Sequence, residues 1–308
     1  MITILMATYN GERYLRQQMD SLLAQTVQDF VVFICDDCST DRTLSILKEY
    51  EALYPERIKV NQRKENSGNA WKNFMDMMIG QKDEYMMLCD QDDIWLPDKI
   101  EVTLQKMKEM ECCYGKEMPL LVHTDLKIVD ENLQVISDSL IRMLNADYSK
   151  TKLHQQIVQN TLTGCTVMYN RALAEYILKK PSYMVMHDWW LMLIASAFGK
   201  IDYVHKATIL YRQHEKNVVG TKNMKSPFVM LKLFFDGEKI RKALDGSYHQ
   251  AAEFYKIYGE DLQDAQKELV KRYSEIPKMK KGKRISCIIQ LKTYKNGLSR
   301  ILGQLFYS

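Results

Sequence analysis

Short apolar runs alternate with amphipathic segments in the first part of the chain, and this alternation constrains the fold more than any other feature. The strand-like runs are residues 2–7, 30–35, 57–61 and 85–89. Between the first two runs, Leu15, Met19 and Leu22 recur at helical spacing. Strands joined by helical crossovers form a parallel sheet with helices on both faces. We therefore predict an α/β chain with a mostly parallel sheet flanked by helices.

Two of the predicted strands end in carboxylates. The fourth strand leads directly into Asp90, Asp92 and Asp93, and the second leads into Asp36 and Asp37. In open α/β sheets ligands bind at the carboxyl edge of the strands. Carboxylate oxygens suit Mg²⁺ or Mn²⁺ better than they suit soft metals. A solvated acidic turn that only caps the next helix is the alternative reading of these residues.

The later part of the chain predicts further strands and then a helical extension. Strands are expected at 120–129, interrupted at His123-Thr124-Asp125, and at 165–169 and 201–211. From Ser226 onward the pattern is helical, beginning with an apolar stripe that carries Phe228, Leu231, Phe234 and Phe235. A last amphipathic segment covers 285–306. We expect a main domain over 1–220 and a basic, amphipathic helical region over 221–308.

Charge is unevenly distributed between these two parts. Residues 221–308 contain 18 Lys and Arg against 9 Asp and Glu, a net charge of +9, so 1–220 carry −5 of the total +4. An acidic body with a basic tail indicates contact between the tail and an anionic surface. Nucleic acid is the weaker candidate, because the tail contains no recognition motif.

Cysteine usage and hydropathy indicate a cytoplasmic protein. The sequence has no run of 18 apolar residues, and its start reads as a strand instead of a signal peptide. Most of the seven cysteines lie in apolar runs, as reduced buried thiols do. Cys35 and Cys38 have C-x-x-C spacing, but without a second pair they do not indicate a zinc or redox site.

Five short motifs occur in an order that is specific when they are taken together. They are Ala7-Thr8-Tyr9-Asn10-Gly11, Asp36-Asp37, Asp90-Gln91-Asp92-Asp93, His187-Asp188 and Tyr211-Arg212-Gln213-His214. In this order they resemble the family 2 inverting glycosyltransferases, which have the Rossmann-like type-A fold. The resemblance covers about residues 1–220. It is strongest to the bacterial rhamnosyltransferases of surface-polysaccharide synthesis.

The resemblance implies a role for each matching residue. Thr8 and Tyr9 would flank the nucleobase, and Asp37 would hydrogen-bond it. Asp90 would lie near the ribose or the donor sugar. Asp92 and His214 would ligate the metal. Arg212 would stabilise the leaving group, and Asp188 would be the general base. The implied cofactor is Mg²⁺ or Mn²⁺.

The function implied is transfer of L-rhamnose from dTDP-β-L-rhamnose to a hydroxyl of a growing, lipid-linked glycan. A hexosyltransferase that uses a UDP-sugar is the alternative within the family. The Gln-x-x-Arg-Trp motif of processive members is absent, which favours transfer of one sugar at a time. The C-terminal helices are expected to contact the inner face of the cell membrane or to form a homodimer.

Three other classes of protein compete with this interpretation. A non-catalytic module that binds a nucleotide-sugar or carbohydrate would keep the fold without turnover. A nucleotidyltransferase would need a glycine-rich phosphate loop after the first strand, where this chain has only Gly11. A glycosidase needs two opposed carboxylates about the scissile bond, and sequence does not exclude that arrangement.

Overall fold

The computed structural model describes residues 1–177, 179–214 and 237–308, which form two compact units. Unit 1 comprises Met1–Met143, Leu162–Lys180 and Gly199–His214. Unit 2 comprises Leu144–Thr161, Pro181–Phe198 and, within the described residues, 237–308. The predicted domain boundary near residue 220 lies outside the described residues, so the division at that point stays a prediction.

Unit 1 is built around one mixed sheet. Its strands are β1 Ile2–Thr8, β2 Phe30–Asp36, β3 Ile58–Gln62, β4 Tyr85–Cys89, β5 Ile94–Trp95, β6 Leu120–Val129, β7 Val135–Ser137, β8 Val167–Asn170 and β9 Lys200–Arg212. The spatial order is β3-β2-β1-β4-β8-β6-β9-β5, and β7 pairs with β6. The central strand β4 is buried along its whole length, as expected for a strand covered on both faces.

Helices connect the strands in the first half of unit 1. They are α1 Leu15–Leu23, α2 Thr43–Leu53, α3 Ala70–Met78 and α4 Lys99–Tyr114. Three shorter helices come later in the chain: α5 Leu140–Leu144, α6 Leu153–Gln156, which belongs to unit 2, and α7 Arg171–Ala174. Strands β1 to β4 pair in parallel, because each helical crossover returns the chain to the same end of the sheet. The predicted α/β fold with flanking helices is therefore confirmed.

Strand register brings the predicted motifs to one edge. Thr8 at the end of β1 pairs with Asp36 at the end of β2, and Met6 pairs with Cys89 at the end of β4. The segment Asp90–Asp93 thus leaves the sheet next to the loop that follows Thr8. This placement agrees with the expectation that both acidic turns share the carboxyl edge.

Two local predictions were wrong. Strand β6 runs through His123-Thr124-Asp125 without interruption, because the shift in strand register at this point is accommodated by extra residues in its partner, β9. Thr124 pairs with Val204 and the next residue, Asp125, pairs with Ala207, so β9 contains the extra residues. The second concerns α2, for which the sequence predicts Ser39 or Thr40 as the N-cap; the helix begins after Arg42 and has no side-chain cap hydrogen bond.

Unit 2 is helical. Its longer helices are α8 His187–Phe198, α9 Gly237–Tyr258, α10 Asp264–Glu275, α11 Lys281–Leu291 and α12 Leu298–Tyr307. The predicted last amphipathic segment, 285–306, contains parts of two helices, which are separated where Lys292 adopts a left-handed φ of 55° and Gly297 a φ of 88°. The stripe predicted from Phe228 to Phe235 lies outside the described residues.

No helix among the described residues is long and apolar enough to cross a membrane.

We expect Asn170 to be a stability determinant of unit 1. Its side-chain oxygen accepts from Leu120 N and Leu173 N, at 2.9 and 3.1 Å, and its amide donates to the carbonyls of Lys116 and Met118. Asn170→Ala leaves the buried Leu120 N and Leu173 N without this acceptor and removes the N-cap of α7. It should lower the free energy of unfolding by about 3 kcal/mol, measured by urea denaturation.

Asn69→Ala is the matched control for this prediction. Asn69 caps α3 through Trp71 N but is exposed, so its loss should cost only about 1 kcal/mol. Equal destabilisation by the two substitutions would contradict a special role for Asn170.

Candidate active site

The loop after β1 is fastened to the turn that follows β2. Asn10 has a left-handed φ of 47°, which asparagine tolerates. Its backbone N–H donates to Ser39 Oγ at 2.9 Å, and its side-chain oxygen accepts from Thr40 N at 2.8 Å. Gly11 N donates to Thr43 Oγ1 at 2.8 Å. Ser39 and Thr40, expected as helix caps, therefore hold the predicted nucleotide-binding loop instead.

Asp36 lies between the two loops and is fully buried. Its Oδ1 accepts from the hydroxyls of Thr8 and Ser39, and its Oδ2 accepts from Ser39 N at 2.9 Å. Three donors compensate the burial of this carboxylate. Thr8, which was predicted to flank the nucleobase, uses its hydroxyl hydrogen in this contact, and its carbonyl accepts from Asp37 N at 2.8 Å. Its place at the donor site stays a prediction.

Asp37 points toward the segment that precedes α3. Its two oxygens accept from Ser67 N and Ser67 Oγ, each at 2.7 Å, and Arg63 Nε lies 3.4 Å from Oδ1. A carboxylate has about four acceptor positions, so these contacts do not exhaust it. Hydrogen bonding of Asp37 to a nucleobase stays a prediction, now with Ser67 and Arg63 as its fixed neighbours.

Gln91, the middle residue of the acidic motif, joins that motif to the first loop. Its amide oxygen accepts from Tyr9 N at 2.8 Å, and its amide nitrogen donates to the Tyr9 carbonyl at 3.0 Å. A Cβ on Gly11 would lie 2.4 Å from the Gln91 oxygen, so a larger residue at position 11 would have to displace the Gln91 amide. The Tyr9 side chain remains exposed. This linking role of Gln91 was not predicted. The only indication of it in the sequence is the position of an amide between two potential ligand carboxylates.

Asp92 and His214, the predicted metal ligands, are in direct contact. His214 Nε2 lies 2.7 Å from Asp92 Oδ2. The His214 side chain is 12% exposed and the Asp92 side chain is 19% exposed. Adjacent ligand atoms on octahedral Mg²⁺ are about 3 Å apart, so one cation fits between these atoms with little adjustment. The partial exposure leaves room for water or phosphate oxygens. The pair fits a hard divalent cation, and the assignment itself stays a prediction.

A second group of potential ligand atoms involves the other two carboxylates of the motif. One atom each from Asp90, Asp93 and Cys165 lies within 4.8 Å of the others. Burial, together with the charges of Asp92 and Asp90, raises the pKa of Asp93 well above its usual range. Burial likewise raises the pKa of the Cys165 thiol, and a neutral thiol is a poor ligand for Mg²⁺ or Mn²⁺. This group suits such a cation less well, and Asp90 keeps its predicted place near the ribose or donor sugar.

Arg212 is held inside the protein, at 1% exposure. Its guanidinium donates to the backbone carbonyls of Asp92 and Glu131, at 3.0 and 2.8 Å. It also donates to Gln17 Oε1 at 2.6 Å and lies 4.4 Å from the centroid of the Tyr14 ring. These contacts position the backbone of Asp92. Direct contact of Arg212 with a leaving group stays a prediction.

Lys99 is a buried cation that sequence analysis did not single out. Its Nζ has no hydrogen-bond partner among the residues that the structure describes, and it lies 4.6 Å from the centroid of the Trp95 ring. Burial lowers the pKa of Lys99 to about 8, while the nearby Asp93 and the Cys165 and Cys89 thiols act in the opposite direction. Lys99 therefore places positive charge in the interior of an otherwise acidic region.

Asp188, the predicted base, lies in unit 2, in the first turn of α8. Its Oδ1 accepts from Trp189 N at 2.6 Å, within the first turn of the helix. Burial lowers the pKa of the preceding His187 to about 3, so this imidazole is neutral at physiological pH. The indole of Trp189 donates to the Gln156 carbonyl, and Trp190 packs against Phe254, as expected for core residues. The catalytic role of Asp188 stays a prediction.

A pocket of about 530 Å³ lies away from this site. It is lined by Met1 and Tyr85, which begin strands β1 and β4, and by Glu111 of α4. It therefore opens at the amino edge of the sheet, whereas the predicted residues of unit 1 gather at the carboxyl edge. Its Glu111 accepts from Tyr85 Oη at 2.9 Å, an ordinary buried structural contact.

Comparison with known proteins identifies the class to which this arrangement belongs. Residues 3–178 match the model of glycosyl transferase family 2. The chain is 31% identical over 229 residues to the dTDP-rhamnosyl transferase RfbG of Shigella flexneri, covering 70% of this chain and 73% of that one. It is 32% identical over 208 residues to the chondroitin synthase of Escherichia coli, covering 67% and 28%. The chain belongs to glycosyl transferase family 2, and it is a nucleotide-sugar glycosyltransferase.

Solved structures of low sequence identity share the fold. Residues 1–349 of S. aureus TarS, in complex with UDP-GlcNAc, match with a TM-score of 0.58 and 20% identity, covering 94% of this chain and 78% of that one. The mannosyltransferase PcManGT from Pyrobaculum calidifontis, in complex with GDP-Man and Mn²⁺, matches with a TM-score of 0.55 and 12% identity, covering 99% and 73%. These matches agree with the type-A fold expected from the sequence.

We predict that Gly11 and Gln91 act as a pair. Gly11→Ala should lower the free energy of unfolding by about 1–3 kcal/mol, because its Cβ would overlap the Gln91 amide. When Gly11→Ala is made in the Gln91→Ala protein, the further loss of unfolding free energy should be much smaller. Gln91→Ala alone should weaken binding of nucleoside diphosphate, because the Tyr9 backbone loses its partner. Urea denaturation and titration calorimetry would measure both effects.

Gly282→Ala is the control for the change to alanine. Gly282 lies within α11 with open space around its Cβ position, so this change should be neutral or stabilising. Strictly additive costs for Gly11→Ala and Gln91→Ala would show that the two positions do not interact.

Proposed function

We propose that this chain is an inverting, metal-dependent transferase that moves a sugar from a nucleoside diphosphate to an acceptor hydroxyl. The observation that carries the proposal is the 2.7 Å contact between Asp92 and His214 at the carboxyl edge of the sheet. Gln91 joins this pair to the loop of Tyr9, so the metal-binding and nucleotide-binding segments form one continuous surface. A non-catalytic module would not need an intact ligand pair at this position.

The residues divide the chemistry between them. Asp92 and His214 hold a divalent cation against the donor diphosphate, with Arg212 fixing the Asp92 backbone. When bound, this cation neutralises the charge that develops on the leaving diphosphate. Tyr9 and Asp37 hold the nucleobase, and Asp90 contacts the ribose or donor sugar. Asp188 takes the proton of the acceptor hydroxyl. A single displacement inverts the anomeric centre and needs only one base.

The proposed donor is dTDP-β-L-rhamnose. Support comes from the 31% identity to a dTDP-rhamnosyl transferase, which covers 70% of this chain. A UDP-sugar is the second candidate, because the TarS structure of the same fold is in complex with UDP-GlcNAc. In either case we propose a hydroxyl of a growing, lipid-linked glycan of a bacterial cell-surface polysaccharide as the acceptor.

The proposal includes a cytoplasmic location at the inner face of the cell membrane, where a lipid-linked acceptor would be held. The C-terminal helices of unit 2 are the proposed contact. Their pairing in a homodimer is the other possibility for the same surface.

The metal site is tested with Asp92→Asn. This variant should lose Mn²⁺-dependent binding of dTDP, because one of two protein ligands becomes a neutral amide. In the wild type, dTDP with Mn²⁺ at 100 times the dissociation constant should raise the free energy of unfolding by about 2.7 kcal/mol. Thermal-shift and calorimetric titrations measure this without requiring turnover.

Asp29→Asn is the control, because Asp29 is exposed and lines the pocket at the amino edge. It should leave binding of dTDP and Mn²⁺ unchanged. Full transferase activity of the wild-type protein in excess EDTA would contradict metal dependence.

The base is tested with Asp188→Asn. An amide keeps the acceptor for Trp189 N but cannot take a proton, so the turnover rate should fall about 10²- to 10⁴-fold. Affinity for the nucleotide-sugar should be unchanged, which separates this variant from Asp92→Asn. Near-normal turnover would assign the base role to another carboxylate, such as Asp125 or Asp93, and Asp125→Asn and Asp93→Asn would then be compared.

A further inference from the structure

Helix α12 of unit 2 presents an uncovered apolar stripe. Leu298, Leu302 and Phe306 are 75%, 51% and 68% exposed, although solvent-facing helix positions are normally polar. Steps of four residues place them on one face of the helix. Gly303 and Gln304, on another face, are buried. A Cβ on Gly303 would touch the Ile240 side chain of α9, so the helix is docked through that side and leaves the stripe outward.

Cations border this stripe. From 276 to 308 the chain has eight Lys and Arg and no Asp or Glu. Four exposed lysines lie in the first turn of α11 and in the residues just before it: Lys278, Lys280, Lys281 and Lys283. Lys281 Nζ lies 5.1 Å from the centroid of the Phe306 ring, which joins the lysine cluster to the end of the stripe. We call these four lysines and the three stripe residues the basic-apolar surface.

We infer that the basic-apolar surface docks onto an anionic lipid surface. Apolar side chains that insert among acyl chains, next to lysines at the level of the headgroups, are the arrangement by which amphipathic helices bind such membranes. Helix α12 has ten residues and is about 15 Å long. That is half the thickness of the hydrocarbon core, so the helix lies in the interface and does not span it. This inference deepens the proposed function by defining how the enzyme reaches a lipid-linked acceptor.

Charge argues against a second copy of the chain as the occupant. A two-fold contact would place the same patch of both copies face to face. The lysine cluster would then meet its own counterpart, and no carboxylate in 276–308 is present to pair with it. An anionic leaflet neutralises the lysines and removes the stripe from water at the same time. Nucleic acid phosphates would satisfy the lysines but would leave Leu298, Leu302 and Phe306 exposed.

The test is sedimentation of the full-length protein with vesicles in the absence of any substrate. Wild type should bind vesicles of phosphatidylglycerol and phosphatidylcholine at low salt, and not vesicles of phosphatidylcholine alone. Lys280→Gln/Lys281→Gln/Lys283→Gln should weaken partitioning about 100-fold, near fivefold for each lysine. Leu302→Ser/Phe306→Ser should weaken it at least tenfold.

Two matched variants control for these changes. Leu53→Ser removes an exposed leucine from α2 of unit 1. Lys64→Gln/Lys82→Gln removes two exposed lysines from other parts of unit 1. Both should bind anionic vesicles as the wild type does. Leu298→Ser is the milder stripe variant and serves if the double substitution impairs folding. All variants should keep dTDP binding, so failure of membrane docking is distinguishable from failure of the proposed function.

Two results would overturn the inference. One is vesicle binding that the lysine and stripe variants leave unchanged. The other is a wild-type dimer in light scattering that the stripe variant converts to monomer while neither protein binds vesicles, because a second copy would then cover the surface.

Discussion

Several carboxylates cluster at the carboxyl edge of the sheet, and unit 1 depends on the compensation of their negative charge. Parallel pairing of β1, β2 and β4 brings two acidic turns together, and like charges so close repel one another. Asp36 is stabilised by hydroxyl and backbone donors from both neighbouring loops. Asp92 meets His214, and the buried Lys99 adds positive charge below the motif. A divalent cation would complete this balance, in keeping with the proposed metal-dependent transfer.

The two loops of the site are joined by a side chain that carries no charge. Gln91 makes the same pair of hydrogen bonds with the Tyr9 backbone that a neighbouring strand would make. The glycine at position 11 allows this contact because it leaves space for the amide. The Tyr9 loop and the acidic motif are therefore coupled by geometry: a shift of the loop would shift the motif with it.

Much of the fold follows from local pattern, and the errors show where local pattern is insufficient. Strand β6 was expected to break at three polar residues, yet it continues because β9 accommodates the mismatch in register. The pattern of the last amphipathic segment likewise does not show that Lys292 and Gly297 end one helix and begin the next. Apolar periodicity was similar on both sides of that break. A left-handed residue other than glycine gives almost no sequence signal.

The sequence by itself determined the alternation of strands and helices, the edge at which the acidic turns lie, and the order of motifs that marks the family. These features are local, because periodicity and turn residues act over a few positions. Only the tertiary structure decided which side chains meet. Arg212 reaches Gln17 across 195 residues, and Asp92 reaches His214 across 122. Such partners depend on strand register and packing, which no single segment encodes, so the contacts of Gln91 and Lys99, and those by which Arg212 positions the Asp92 backbone, emerged only from the folded chain.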